Sequence, residues 1–114
     1  MSQNYILLIT SDTLGEGDKE LGVKLMSSYL HSLNETEILP THILFMNSGV
    51  KLVTNESDSL EELNILEEKG VKLLACGTCL SYYSLEEKKA VGEVGNMHLS
   101  AELMVKADKV VTLS

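Results

Sequence analysis

The chain has 114 residues, 44% of them hydrophobic, with 9 Lys and no Arg against 17 Asp and Glu, a formal net charge of −8. This length needs neither metal nor disulfide staples to bury a core, so one domain over residues 1–114 is expected. Low-complexity, collagen, coiled-coil and disulfide-rich classes are excluded, and an acidic, arginine-free surface argues against nucleic-acid binding and against an anionic membrane surface.

In chain order, Met1 to Thr10 carries no Lys or Arg ahead of its apolar run. That run, Tyr5 to Ile9, is too short for a signal-peptide core and reads as a buried strand. No stretch reaches the length of a transmembrane helix, so the expected compartment is the cytoplasm. Thr10 to Gly17 is a turn-rich loop, with Asp18 as a helix N-cap. The helix that follows carries Leu21, Leu25, Met26, Tyr29, Leu30 and Leu33 at helical spacing. His42 to Met46 is a second strand, broken by Asn47-Ser48-Gly49. Asp58, with Glu61 three residues on, resembles a capping box opening a second helix, which Gly70 ends. Val71 to Ala75 is a third strand running into Cys76-Gly77-Thr78-Cys79. A short helix is expected from Ser84, with Glu87 in the capping-box position. Ala90 to Val94 is a brief fourth strand, Gly95-Asn96 a turn, Leu99 to Ala107 a last helix and Lys109 to Leu113 a final strand. Met26, Met46, Met97 and Met104 read as core filler.

Strands alternating with helices call for a mostly parallel sheet of about five strands in a three-layer α/β/α sandwich of flavodoxin size. Periodicity does not fix the strand order. In such a sheet ligands bind beyond the carboxyl ends of the strands. Three segments that packing does not require follow apolar strands: Thr10 to Asp18, Asn47 to Lys51, and Cys76 to Cys79. A parallel sheet places them on one rim, and Gly92 to Met97 joins them if a strand precedes it.

In the reducing cytoplasm, two cysteines three residues apart point to chemistry or metal before a structural bridge. A thiol acts as its thiolate, and nearby cations or backbone N–H groups favour that form. Lys51 is the cation available in the rim segments, while Gly77 and Thr78 offer N–H groups. A thioredoxin-like pair lacks its usual context here. A structural zinc site wants four ligands, and of His31, His42 and His98 only His98 falls near the rim. A persulfide carrier remains as the third chemistry. Gly15-Glu16-Gly17 fails the dinucleotide fingerprint, because Glu20 stands where the third glycine belongs, and there is no P-loop. No cofactor and no metal are therefore expected. Gly15 and Gly17 read equally as a tight turn or as a wall of backbone donors. Asn47, Ser48 and Gly49 have the same balance. Val50-Lys51-Leu52-Val53 is an apolar stretch in a loop, expected to pack on the cysteine segment or on a neighbouring subunit, as are Tyr82 and Tyr83 unless they cap the core.

Four motifs occur in order: Thr10-Ser11-Asp12-x-Leu14-Gly15-x-Gly17-Asp18, Asn47-Ser48-Gly49-Val50-Lys51-Leu52, Cys76-Gly77-Thr78-Cys79-Leu80, and Val91-Gly92-Glu93-Val94-x-Asn96-Met97. Together they resemble the C-terminal domain of YedF-type selenium metabolism proteins, within the DsrE-like sulfurtransferase superfamily, over essentially the whole chain. The resemblance implies a parallel α/β/α fold, a homo-oligomer (trimer or hexamer), and cytoplasmic handling of sulfur or selenium. It places the chalcogen-carrying cysteine at the end of a central strand, the position of Cys76, and marks Cys79 as the feature of the selenium-linked subgroup. YedF-type proteins usually carry an N-terminal TusA-like domain; the resemblance therefore implies a TusA-like donor or acceptor that is here either a separate polypeptide or absent.

Two functions of different class follow. In the first, a sulfurtransferase-like relay, Cys76 accepts the chalcogen as a persulfide or selenopersulfide and Cys79 resolves it. Lys51 and loop N–H groups stabilise the anion, and Asp12, Asn47 and Asn96 shape the pocket with Gly15, Gly17, Ser48, Gly49, Gly77 and Thr78. In the second, a non-catalytic oligomeric module uses the same surface to bind a partner or to sense redox state.

Overall fold

The structure, a computed structural model, describes residues 4–114; the first three, which the reading of the amino-terminal segment includes, lie outside the described residues. Five strands form one sheet among the described residues: β1 (Tyr5–Ile9), β2 (His42–Phe45), β3 (Lys72–Cys76), β4 (Glu93–Gly95) and β5 (Lys109–Leu113), in the order β4-β3-β2-β1-β5. Every neighbouring pair is parallel. Among the described residues the α-helices are α1 (Lys19–Thr36), α2 (Leu60–Glu68), α3 (Gly77–Tyr82) and α4 (Met97–Lys106). The expected three-layer α/β/α architecture is therefore present.

The two faces are covered unequally. Alternate residues Leu7, Ile9, Ile43, Phe45, Leu73 and Ala75 meet Met26, Leu30 and Leu33 of α1, Leu63 and Leu66 of α2, and Leu80 of α3. The opposite set, Ile6, Leu44 and Leu74, packs only against Leu8 of β1 and against Leu99, Leu103, Met104 and Ala107 on and beside α4. The central strands β1, β2 and β3 read as nearly unbroken apolar runs because both of their faces are covered, whereas the edge strands β4 and β5 are largely exposed.

Local chemistry accounts for most boundaries. Asp18 Oδ1 accepts from Leu21 N–H at 3.0 Å, starting α1 where the sequence places it. Asn96 Oδ1 accepts from Leu99 N–H at 2.8 Å and starts α4 two residues earlier than Leu99. Gly70, at φ +100°, ends the α2 segment in the conformation glycine alone adopts freely.

Several expectations are corrected. Asp58 does not cap α2; the residue before its first turn is Ser59, with no side-chain cap. The short helix expected from Ser84 is a single 3-10 turn, Glu86–Lys88, which follows Ser84 at φ +57°, and a further short α-helix begins at Gly77, directly after β3. Residues 47–53 are not an open loop but a 3-10 helix, whose tighter turn sends Val50, Leu52 and Val53 into the chain's own core. They are not available to a neighbouring subunit. Leu21 and Leu25 lie on the exposed side of α1, because the buried stripe narrows to Met26, Leu30 and Leu33. Met97 is 57% exposed rather than core filler.

Candidate functional site

With every strand parallel, the ends of β1, β2, β3 and β4 open on one rim, where the polar segments converge. β3 ends at Cys76, which is also the residue preceding the first turn of α3. That helix is only six residues long and opens with glycine, so it owes its existence to docking more than to propensity. Leu80 is buried beneath it. Gly77 lies close to β4: a Cβ there would sit 3.1 Å from Cγ1 of the exposed Val94, a tight contact that a small shift of that side chain would relieve.

Cys79 lies one turn along α3, near enough to Cys76 for the two thiols to influence one another's ionisation. It also accepts from the backbone N–H of Asn47 at 3.1 Å, tying the segment after β3 to the segment after β2. Burial pushes the Cys79 thiol up from its ordinary pKa, and the neighbouring Cys76 thiol adds to this; the Asn47 N–H pulls the other way. Both cysteines are free thiols. Their exposure differs. Cys76 is 9% exposed and belongs to the core, whereas Cys79 is half-buried and faces a cavity of about 660 Å³. That cavity is walled by Thr10, Met46, Asn47, Thr78, Tyr82, Tyr83 and Met97.

Asn47 adopts a left-handed backbone, φ +52°, which asparagine tolerates better than most residues. Its Oδ1 accepts from the Tyr83 hydroxyl at 2.9 Å. Gly49 seats the same turn against β1, where a Cβ would collide with the Ile9 carbonyl. Ser48 lies between them and is half-buried. Lys51 does not line the cysteine cavity. Its ammonium sits over the Tyr83 ring, 4.8 Å from the centroid, and faces a second cavity of about 470 Å³ with Asp12, Glu56 and Asp58. Tyr83 is the wall common to both cavities.

The remaining predicted positions are dispersed. Gly15, at φ +93°, donates its N–H to the Ser114 carbonyl at 3.0 Å, which draws the glycine turn to the end of β5. Gly15 and Gly17 line neither cavity, and a methyl group at either would meet nothing within 4 Å, so backbone conformation is all that the first requires. Asn96 is at the rim but spends its side chain on the α4 cap. His98 lies in a shallow groove of α4 with Glu102 and Lys106, outside the cysteine cavity. Among the described residues no three His, Cys, Asp or Glu side chains are grouped to hold a metal, and no helix is long and apolar enough to cross a membrane. Sequence reasoning gave Tyr83 a packing or core-capping task and did not count it among the site residues. The available signal was its position four residues after Cys79, on the same side of a helix.

Comparison with known proteins adds three findings. No curated protein matches the sequence. Among solved structures, the ychN protein of E. coli is similar over 97% of this chain and 99% of its own, at 18% identity and a TM-score of 0.75. A conserved protein of unknown function from Bacteroides thetaiotaomicron, BT1422, is similar over 96% of this chain and 95% of its own, at 15% identity and a TM-score of 0.66. Both likenesses are of fold. The pattern of the DsrE/DsrF-like family matches residues 3–113, nearly the entire length, and the chain belongs to that family.

Proposed function

We propose that this protein carries one sulfur or selenium atom on the Cys76–Cys79 pair and hands it to an acceptor thiol. The observation that carries this reading is the pair itself: two free thiols three residues apart at the strand rim, one of them open to a cavity. Exposure favours loading at Cys79, with Cys76 as the resolving thiol, the reverse of the order expected from strand position.

In the loading step the Cys79 thiolate attacks the outer sulfur of a donor persulfide, and the donor leaves as its thiolate. Cys79 is then a persulfide. An acceptor thiolate takes the outer atom and returns Cys79 to a thiolate. Alternatively, the Cys76 thiolate attacks Cys79 Sγ and expels hydrosulfide, or hydroselenide when selenium is carried. In that branch the pair is oxidised by two electrons to a disulfide and the released atom is reduced by two. The i,i+3 spacing at a helix start keeps the two cysteines within disulfide reach. Because Cys79 is pushed up, loading accelerates as pH rises through and beyond the ordinary thiol range.

The selenium specificity rests on the four ordered motifs, and a TusA-like persulfide protein is the donor or acceptor we propose. For the homo-oligomer, the surface to consider is Tyr82, Val94 and Met97 near the rim, all well exposed, since Val50, Leu52 and Val53 are buried. Incubation with a persulfide donor followed by intact-mass measurement tests the carrier reading. Wild type should gain one sulfur, Cys76→Ser should keep the gain, and Cys79→Ser should lose it. No gain on wild type would sink the carrier reading and favour a redox sensor, while an undiminished gain on Cys79→Ser would sink the order of the two thiols.

A further inference from the structure

The geometry points to Tyr83 as a positioning residue: its hydroxyl clamps the left-handed turn at Asn47, so that the Asn47 N–H stays aimed at Cys79 Sγ. The purpose of that alignment rests on the carrier reading; the alignment itself does not.

Asparagine bears a left-handed backbone, here φ +52°, better than most residues, but the conformation still persists only where its surroundings hold it. Besides the backbone hydrogen bonds from Met46 N–H to the Ile9 carbonyl and from Gly49 N–H to the Met46 carbonyl, both 2.9 Å, two contacts hold Asn47. Gly49 lies so close to the Ile9 carbonyl that the turn cannot slide toward β1, and the Tyr83 hydroxyl fixes the Asn47 side chain at 2.9 Å from the other side. The backbone N–H is left pointing at Cys79 Sγ, 3.1 Å away. An N–H at that distance favours a sulfur anion over a neutral thiol, and serves a persulfide anion in the same way.

Tyr83 is itself well placed for this. Its N–H donates to the Cys79 carbonyl at 3.1 Å, closing the last turn of α3, so ring and thiol belong to one rigid turn. The Lys51 ammonium rests on the ring and holds it down by cation–π attraction. Lys51 thus acts one residue removed from the sulfur, through Tyr83 and Asn47, rather than as a direct counter-charge. The titratable groups around Cys79 are Cys76 at the end of β3, Tyr82 and Tyr83 at the end of α3, and Lys51 behind the Tyr83 ring. Thr10 after β1, Met46 after β2 and Met97 of α4 complete the wall without adding charge. The Asn47 N–H is therefore the contact available to offset the burial that disfavours the Cys79 thiolate.

The test is the pH profile of Cys79 alkylation by iodoacetamide, read peptide by peptide so that Cys76 is scored separately. Tyr83→Phe keeps the ring, the cavity wall and the Lys51 contact while removing the hydroxyl. We expect it to slow Cys79 alkylation at neutral pH roughly threefold to tenfold and to move the midpoint upward, the size of one weakened hydrogen bond to an anion. Asn47→Gly removes the acceptor on which Tyr83 works, so adding Tyr83→Phe to it should change the profile no further. A wild-type profile in Tyr83→Phe, or full additivity in the double variant, would overturn the inference. Alkylation needs no chalcogen donor. Failure of persulfide loading alongside the expected alkylation profiles would thus count against the carrier reading alone.

Discussion

At the scale of single residues, the rim depends on contacts for which a methyl group is already too much. Gly49 is the sharpest case, since its missing Cβ is what lets the turn lie on the Ile9 carbonyl. Gly49→Ala should lower unfolding free energy by about 1–3 kcal/mol through overpacking against backbone that cannot retreat. Gly17→Ala, with nothing within 4 Å, should stay within about 0.5 kcal/mol of wild type. Urea denaturation of both variants checks the contrast. The sequence allowed the cysteine pair and the Asn47 turn to be picked out, because few packing roles call for those residues there. It did not disclose which thiol faces outward. That depends on how far the first turn of α3 rotates Cys79 away from the strand end, a tertiary quantity with no local signature. Lys51 was misdirected for a related reason: its charge was visible, but the ring that intercepts it was not.

At the scale of elements, the two faces of the sheet differ in how they fail. One is covered by α1, α2 and α3, the other by the ten residues of α4. Asn96→Ala removes the cap of α4 and should cost about 1 kcal/mol. Hydrogen exchange should show the α4 amides opening several-fold faster while those of α1 hold their protection; equal acceleration in both helices would contradict this division. Strands and long helices were legible because apolar run length and 3.6-residue spacing both encode burial. The exceptions were short. The helix at Gly77–Tyr82 and the 3-10 segment at Asn47–Val53 have too few turns for a period to register, and both are held by what lies beneath them. Asp58 was a plausible cap by residue type, yet Ser59 takes the position because the chain turns one residue later.

At the scale of the whole molecule, charge is unbalanced over a small body. The formal net charge is −8 within extents of 38 × 29 × 26 Å. The Debye length falls from about 30 Å at 0.01 M salt to about 8 Å at 0.15 M, so repulsion spans the entire protein in the first case and only neighbouring side chains in the second. The exposed pair of Lys106 with Glu102 is too weak to offset this. Thermal unfolding should therefore move upward by several degrees between those two salt concentrations, and a flat or falling melting temperature would show that the acidic groups are not repelling one another. Fold class was legible from the alternation of strands and helices. Strand order was not, because β5 carries no mark that it pairs with β1 rather than with β4.

That pairing has a kinetic side. Tyr5 of β1 lies against Lys109 of β5, and the Thr10 N–H reaches the Leu113 carbonyl at 3.1 Å. The earliest of the five strands to leave a ribosome thus keeps one side bare until the last of them emerges. During synthesis that bare flank is the natural place for a chaperone to hold, and for two nascent copies to pair wrongly.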